Sequence, residues 1–202
     1  MSVFISVARR DWRVSRHQAG GIGVRDLRRL RRACERRIDE LRIPRPFDLD
    51  AFIASVQKQR GGRRIHVRPS PIPASEVSPY GMWVATHDAD FIVYEPETTP
   101  LHRAQIVLHE VGHMIFDHHS DEVVDPRILR VLFPDLDPAI VKLILSRHDH
   151  HKREDEFEAE MFASVVLERA GYEPGPVLTE DGLMDRIGDA LGHPMRRRER
   201  GI

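Results

Sequence analysis

A chain of 202 residues, 41% hydrophobic and 31% charged, carries enough apolar content for one domain with its own core, and its net charge of −1 argues against direct nucleic-acid binding. No apolar run approaches the length of a membrane span, and Ser2 to Ala8 is too short and lacks the charged start of a secretory signal, so the expected location is the cytoplasm. Cys34 is the only cysteine, which excludes an internal disulfide and a cysteine-rich metal site and leaves histidines and carboxylates as the ligands a metal would find.

Residues 1 to 22 show no sustained period and pass through Gly20-Gly21, so they are expected to form a loosely ordered arm of a single domain spanning 1–202. The core should occupy residues 23–170. Leu27, Leu30, Cys34, Ile38 and Leu41 recur at helical spacing, predicting a helix from about Val24 to Leu41 that stops before Pro44. Its arginines, Arg25, Arg28, Arg29, Arg31, Arg32, Arg36 and Arg37, read as a solvated face with Glu35, Asp39 and Glu40 as partners, or as a contact surface for an acidic partner.

A second helix is expected from Leu49 to Gln59, ending at Gly61-Gly62, followed by a strand at Ile65-His66-Val67. Met82 to Ala85 and Phe91 to Tyr94 flank the polar His87-Asp88-Ala89-Asp90 turn and predict a hairpin, giving a small antiparallel sheet. Trp83 and Tyr94 read as strand packing or as the border of a peptide groove.

Thr99 then stands as an N-cap with Pro100 at the first helical position, and the helix it opens contains His109-Glu110-Val111-Gly112-His113. At 3.6 residues per turn, His109 and His113 project only about 40° apart, so both imidazoles can reach one ion while Glu110 stands beside it as a general base. A chain with 12 histidines gives such a pattern by chance roughly 0.05 times, so the spacing carries weight. Leu101, Gln105, Leu108, Gly112 and Phe116 form the stripe that would pack this helix on a core.

A zinc site of this kind needs a third protein ligand and leaves a fourth position for water. His119 is one candidate, at the spacing of a three-histidine site, but Phe116 stands where that pattern has glycine. A continuing helix would swing His119 roughly 240° from His113. Glu156 is the other, on a helix running from Glu154 through Ala163 into Ser164-Val165-Val166-Leu167, whose Ala159 and Ala163 permit a close approach to the first helix. Glu160, on the face of Glu156, could accept a hydrogen bond from a ligand histidine's other ring nitrogen; an acidic face favoured by the helix dipole is the plainer explanation of both.

The two segments together, His109-Glu-Val-Gly-His113 and Glu156-Phe-Glu-Ala-Glu160-Met-Phe-Ala163, resemble the ImmA/IrrE family of gluzincin-type metallopeptidases over about Val24 to Arg169. Arg45-Pro46-Phe47 and Gly81-Met82-Trp83-Val84 are similar to actinobacterial, toxin-like or regulatory members. The resemblance implies an α+β, zincin-like minimal metalloprotease core, Zn2+ held by His109, His113 and Glu156, and Glu110 as base. Glu160 stands where the family usually has Asn or Asp. It also implies a zinc-dependent endopeptidase acting on a protein, expected to be a helix-turn-helix regulator, with a strand beside the active-site helix exposed to pair with it. The alternatives are a non-catalytic, toxin-antitoxin-like partner-binding protein and a zinc hydrolase of some other substrate.

Beyond the first zinc helix, Pro126, Pro134 and Pro138 punctuate two short expected helices. His148, His150 and His151 lie in a polar linker suited to exposure or to oxyanion stabilisation, and the histidines as a group, with His118 and His119, are not read as a second metal site. Residues 171–202 should form a C-terminal helix and a basic tail at Arg196 to Arg200.

Overall fold

The structure is a computed structural model that describes residues 4–8, 24–71, 81–86, 89–118 and 153–172. Its elements run β1 (Phe4–Ala8), α1 (Val24–Asp39), α2 (Leu49–Gln59), β2 (Arg64–Pro69), β3 (Gly81–Ala85), β4 (Ala89–Tyr94), α3 (Pro100–Ile115) and α4 (Arg153–Arg169). Helices and strands share one core, so the expected α+β class holds. The tail, the short helices between Pro126 and Pro138, His119 and the His148 to His151 linker lie outside the described residues.

The four strands form one sheet in the order β1-β3-β4-β2. The expected hairpin is present, with β3 antiparallel to β4 and Trp83 opposite Ile92. Two expectations about the sheet are corrected. It is mixed rather than antiparallel, because β2 runs parallel to β4 with Val67 opposite Ile92. The segment expected to be a loose arm supplies β1, which pairs antiparallel with β3, Ala8 opposite Gly81. Five residues are too few to show a period, and their partner lies more than seventy positions along the chain, so no local signal announces the pairing. As a result β3 has a neighbour on both sides and is not an exposed edge.

The termini of the helices follow their caps. Asp48 accepts a hydrogen bond from Ala51 N–H at the start of α2, and Thr99 accepts one from His102 N–H at the start of α3. Gly61 takes the left-handed conformation (φ 72°) that ends α2, where Gly62 N–H reaches back to Gln57 C=O at 2.8 Å.

Helix α3 lies on the sheet, touching β1, β3 and β4, with α4 packed on it and α1 packed on α4. This sandwiching explains why α3 is buried on every side from Ala104 to Met114, broader than its sequence stripe suggests. Likewise Phe157, Met161, Phe162, Val165, Val166 and Leu167 leave water almost completely on α4. At about 1.5–3 kcal/mol for each large side chain, this burial fixes α4 far more strongly than its acidic first turn could. On α1, Leu27, Cys34 and Ile38 face inward while Arg25, Arg28, Arg29, Arg32, Arg36 and Arg37 are exposed, as an amphipathic helix requires. Arg31 bridges Glu35 and Glu168 at 2.9 and 2.8 Å.

A second, polar anchor sits under the hairpin. Asp90 is fully buried, pairs with Arg63 at 2.8 Å and Arg60 at 3.4 Å, and accepts a hydrogen bond from Trp83 Nε1 at 3.1 Å. Trp83 is therefore a core residue. Arg60 also donates to Met114 C=O at 3.1 Å, tying this cluster to the last turn of α3.

Candidate metal centre

Two helices build the site. His109 and His113 lie one turn apart on α3, and α4 crosses that turn at very short range. A Cβ added at Gly112 would stand 2.8 Å from Ala159 Cα and 3.0 Å from Ala159 O, so only a glycine between the motif residues permits this crossing. Ala159 is one turn along α4 from Glu156, which is thereby carried to the histidines.

The three donor atoms converge. His109 Nε2 and His113 Nε2 are 3.0 Å apart, and Glu156 places Oε2 3.4 Å from the first and Oε1 3.4 Å from the second. All lie within 4.8 Å of one another, so His109, His113 and Glu156 form a group that can hold a metal ion. A tetrahedral zinc with bonds of about 2.0–2.1 Å separates its ligand atoms by about 3.3–3.4 Å, close to the 3.4 Å between each histidine Nε2 and its nearer Glu156 oxygen. The donor chemistry, two imidazoles and a carboxylate, fits as well. His113 is wholly buried and His109 nearly so, whereas the Glu156 side chain is 36% exposed and marks the side open to solvent.

The remaining sequence candidates fall around this centre. Glu160, 3% exposed, directs Oε2 towards His109 Nδ1 at 3.6 Å, a charge contact somewhat longer than a hydrogen bond. Its other oxygen is approached by Gln105 Nε2 at 3.3 Å and Ser164 Oγ at 3.5 Å, which hold the carboxylate in place. Glu110 is fully buried against the sheet; a Cβ at Gly81 would come within 2.8 Å of its Oε1 and 2.6 Å of Ile106 Cγ2. Burial by itself lowers the pKa of His109, but Glu156, Glu160 and the nearby Glu110 outweigh it and hold the imidazolium well above its usual range.

One neighbour has no counterpart among the sequence candidates for this centre. His118 is buried, with Nδ1 3.1 Å from His113 Nδ1 and Nε2 3.0 Å from Glu158 Oε2. The chain reaches this position because the helix neither continues past Phe116 nor turns there. Asp117 adopts the left-handed conformation (φ 59°), and His118 N–H returns to His113 C=O at 2.9 Å. Asp is one of the few residues besides glycine that accept this conformation, so Asp117-His118 at the end of the motif helix was the available signal.

No protein-family model, curated protein or solved structure matches the chain.

Proposed function

We propose that this protein is a zinc metallopeptidase, with His109, His113 and Glu156 as the metal ligands and Glu110 as the general base. The observation that carries the reading is the convergence of two Nε2 atoms and a carboxylate at 3.0 to 3.4 Å, with a further buried carboxylate one residue from a ligand. A purely structural site closes all four positions with protein ligands and has no use for that carboxylate.

Bound zinc would acidify a coordinated water and polarise a carbonyl oxygen. The chain's own residues do the rest. Glu110, wedged between α3 and Gly81, accepts the proton of the attacking water and passes it to the leaving nitrogen. Glu160, held by Gln105 and Ser164, orients the His109 ring from behind. The substrate class is a protein, and the family resemblance favours a helix-turn-helix regulator. The active protein is expected to work in the cytoplasm.

Metal analysis and cleavage assays on a candidate helix-turn-helix regulator and on denatured casein test the reading. Wild type should carry about one zinc per chain. Glu156→Gln should lose it. Glu110→Gln should keep the metal and lose hydrolysis. Full cleavage by Glu110→Gln, or a zinc-loaded wild type that leaves both the regulator and denatured casein intact, would overturn it. In the latter case a stable, uncleaved partner complex would point to a binding protein.

A further inference from the structure

We propose that His118 is a positioning residue for the metal centre, which fixes the His113 ring in its metal-competent tautomer and is itself fixed by Glu158. This rests on His113 being a ligand through Nε2. A neutral imidazole has one N–H, and the ligating nitrogen must be the bare one. Because His113 Nε2 faces His109 and Glu156, its proton belongs on Nδ1.

That Nδ1 faces His118 Nδ1 at 3.1 Å, and two nitrogens in contact cannot both donate or both accept. The hydrogen bond therefore runs from His113 to His118, leaving the His118 proton on Nε2. There Glu158 Oε2 stands 3.0 Å away to receive it, with Asp155 Oδ1 at 3.8 Å adding negative charge on the same side. The reverse arrangement would put a proton on His113 Nε2, pointing at the ion, and would turn the His118 Nε2 lone pair towards two carboxylates. Glu158 thus selects the tautomer two rings away.

The placement of His118 is reinforced three times over. Its backbone N–H bonds to His113 C=O, its ring stacks on Phe116 at 5.7 Å and 18°, and it is only 7% exposed. The two ligand histidines are consequently supported in different ways. His109 faces a carboxylate directly, whereas His113 faces one through a second imidazole.

The test is zinc affinity, measured by competition with a chromophoric chelator, together with the visible spectrum of the cobalt-substituted protein. His118→Phe keeps a ring against Phe116 and removes the acceptor; its zinc affinity should fall about 10–100-fold and its cobalt bands should shift. His118→Asn restores an acceptor near the place of Nδ1 and should recover most of that loss. Glu158→Gln, which touches no ligand, should fall between them. Native-like zinc affinity in His118→Phe, or equal losses in the Phe and Asn variants, would overturn the proposal. If His118→Phe does not fold, an unchanged affinity in Glu158→Gln overturns it. A native protein that binds zinc but cleaves nothing defeats the peptidase reading alone, whereas one that binds no zinc defeats both.

Discussion

Gly112→Ala puts a methyl group between the two helices that make the candidate metal centre. Its Cβ would lie 2.8 Å from Ala159 Cα, 0.6 Å inside the 3.4 Å at which ordinary contact begins, and 3.0 Å from Ala159 O. Both atoms are backbone, so the clash cannot be relieved by a rotamer and the helices must separate. Overpacking of this kind costs about 1–3 kcal/mol, and the unyielding neighbour argues for the upper end. Alanine returns about 1 kcal/mol of helix propensity. A net loss of about 2 kcal/mol corresponds to a melting temperature lower by roughly 4–8 °C in a chain of this length. The more diagnostic effect is on metal binding. His113 follows Gly112 and Glu156 sits one turn before Ala159, so moving the helices apart lengthens the 3.4 Å contacts that the Glu156 carboxylate makes with the two histidines. Zinc affinity should drop by at least about 10-fold, as expected when ligand geometry is loosened. Metal-free melting and chelator competition measure the two effects separately. A Gly112→Ala protein that melts higher than wild type and binds zinc within about twofold of it would refute the close crossing as the device that builds the site.

Gly81→Ala should act on the proposed base instead of the proposed ligands: its Cβ would press on Glu110 Oε1 and Ile106 Cγ2, so on the peptidase proposal zinc content should stay near wild type while turnover falls, and an unaltered kcat would contradict the role given to Glu110. Asp90→Ala removes the buried partner of Arg63, Arg60 and Trp83 Nε1 and should destabilise by about 3 kcal/mol in denaturant melts, with a loss below about 0.5 kcal/mol showing that the cluster is not an anchor. For the metal-free protein, the raised pKa of His109 means that protonation stabilises the fold; this contribution is complete below the ordinary value of 6.5 and is lost as pH rises through the higher folded value. Metal-free protein should therefore melt lower at about pH 9 than at about pH 6, while zinc affinity rises over the same interval as the proton ceases to compete, and a metal-free melting temperature that climbs with pH would contradict the charge arrangement.

Features that depend on short separations along the chain were legible in the residues. Helical spacing placed His109 and His113 on one side of a helix, Thr99-Pro100 opened that helix, and two short apolar runs on either side of a polar stretch made the β3–β4 hairpin. Each is set by neighbours within a few residues, where backbone geometry translates pattern into structure directly. The gap between His113 and Glu156 is of another kind. Spacing left His119 and Glu156 both open, and only the crossing of α4 at Gly112 and Ala159 brings Glu156 to the histidines.

Three further matters were settled by long-range packing. It gave β3 a second neighbour, β1, because strand pairing depends on edge complementarity between segments far apart in the chain. It ran β2 parallel to β4, at the edge of the sheet away from β3. It also returned His118 to His113 through one left-handed residue, Asp117, a local turn whose consequence appears only when Glu158 arrives from another helix. Periodicity reports which face of an element is apolar; which element that face meets is settled by packing, and the surroundings of the candidate metal centre are made at those meetings.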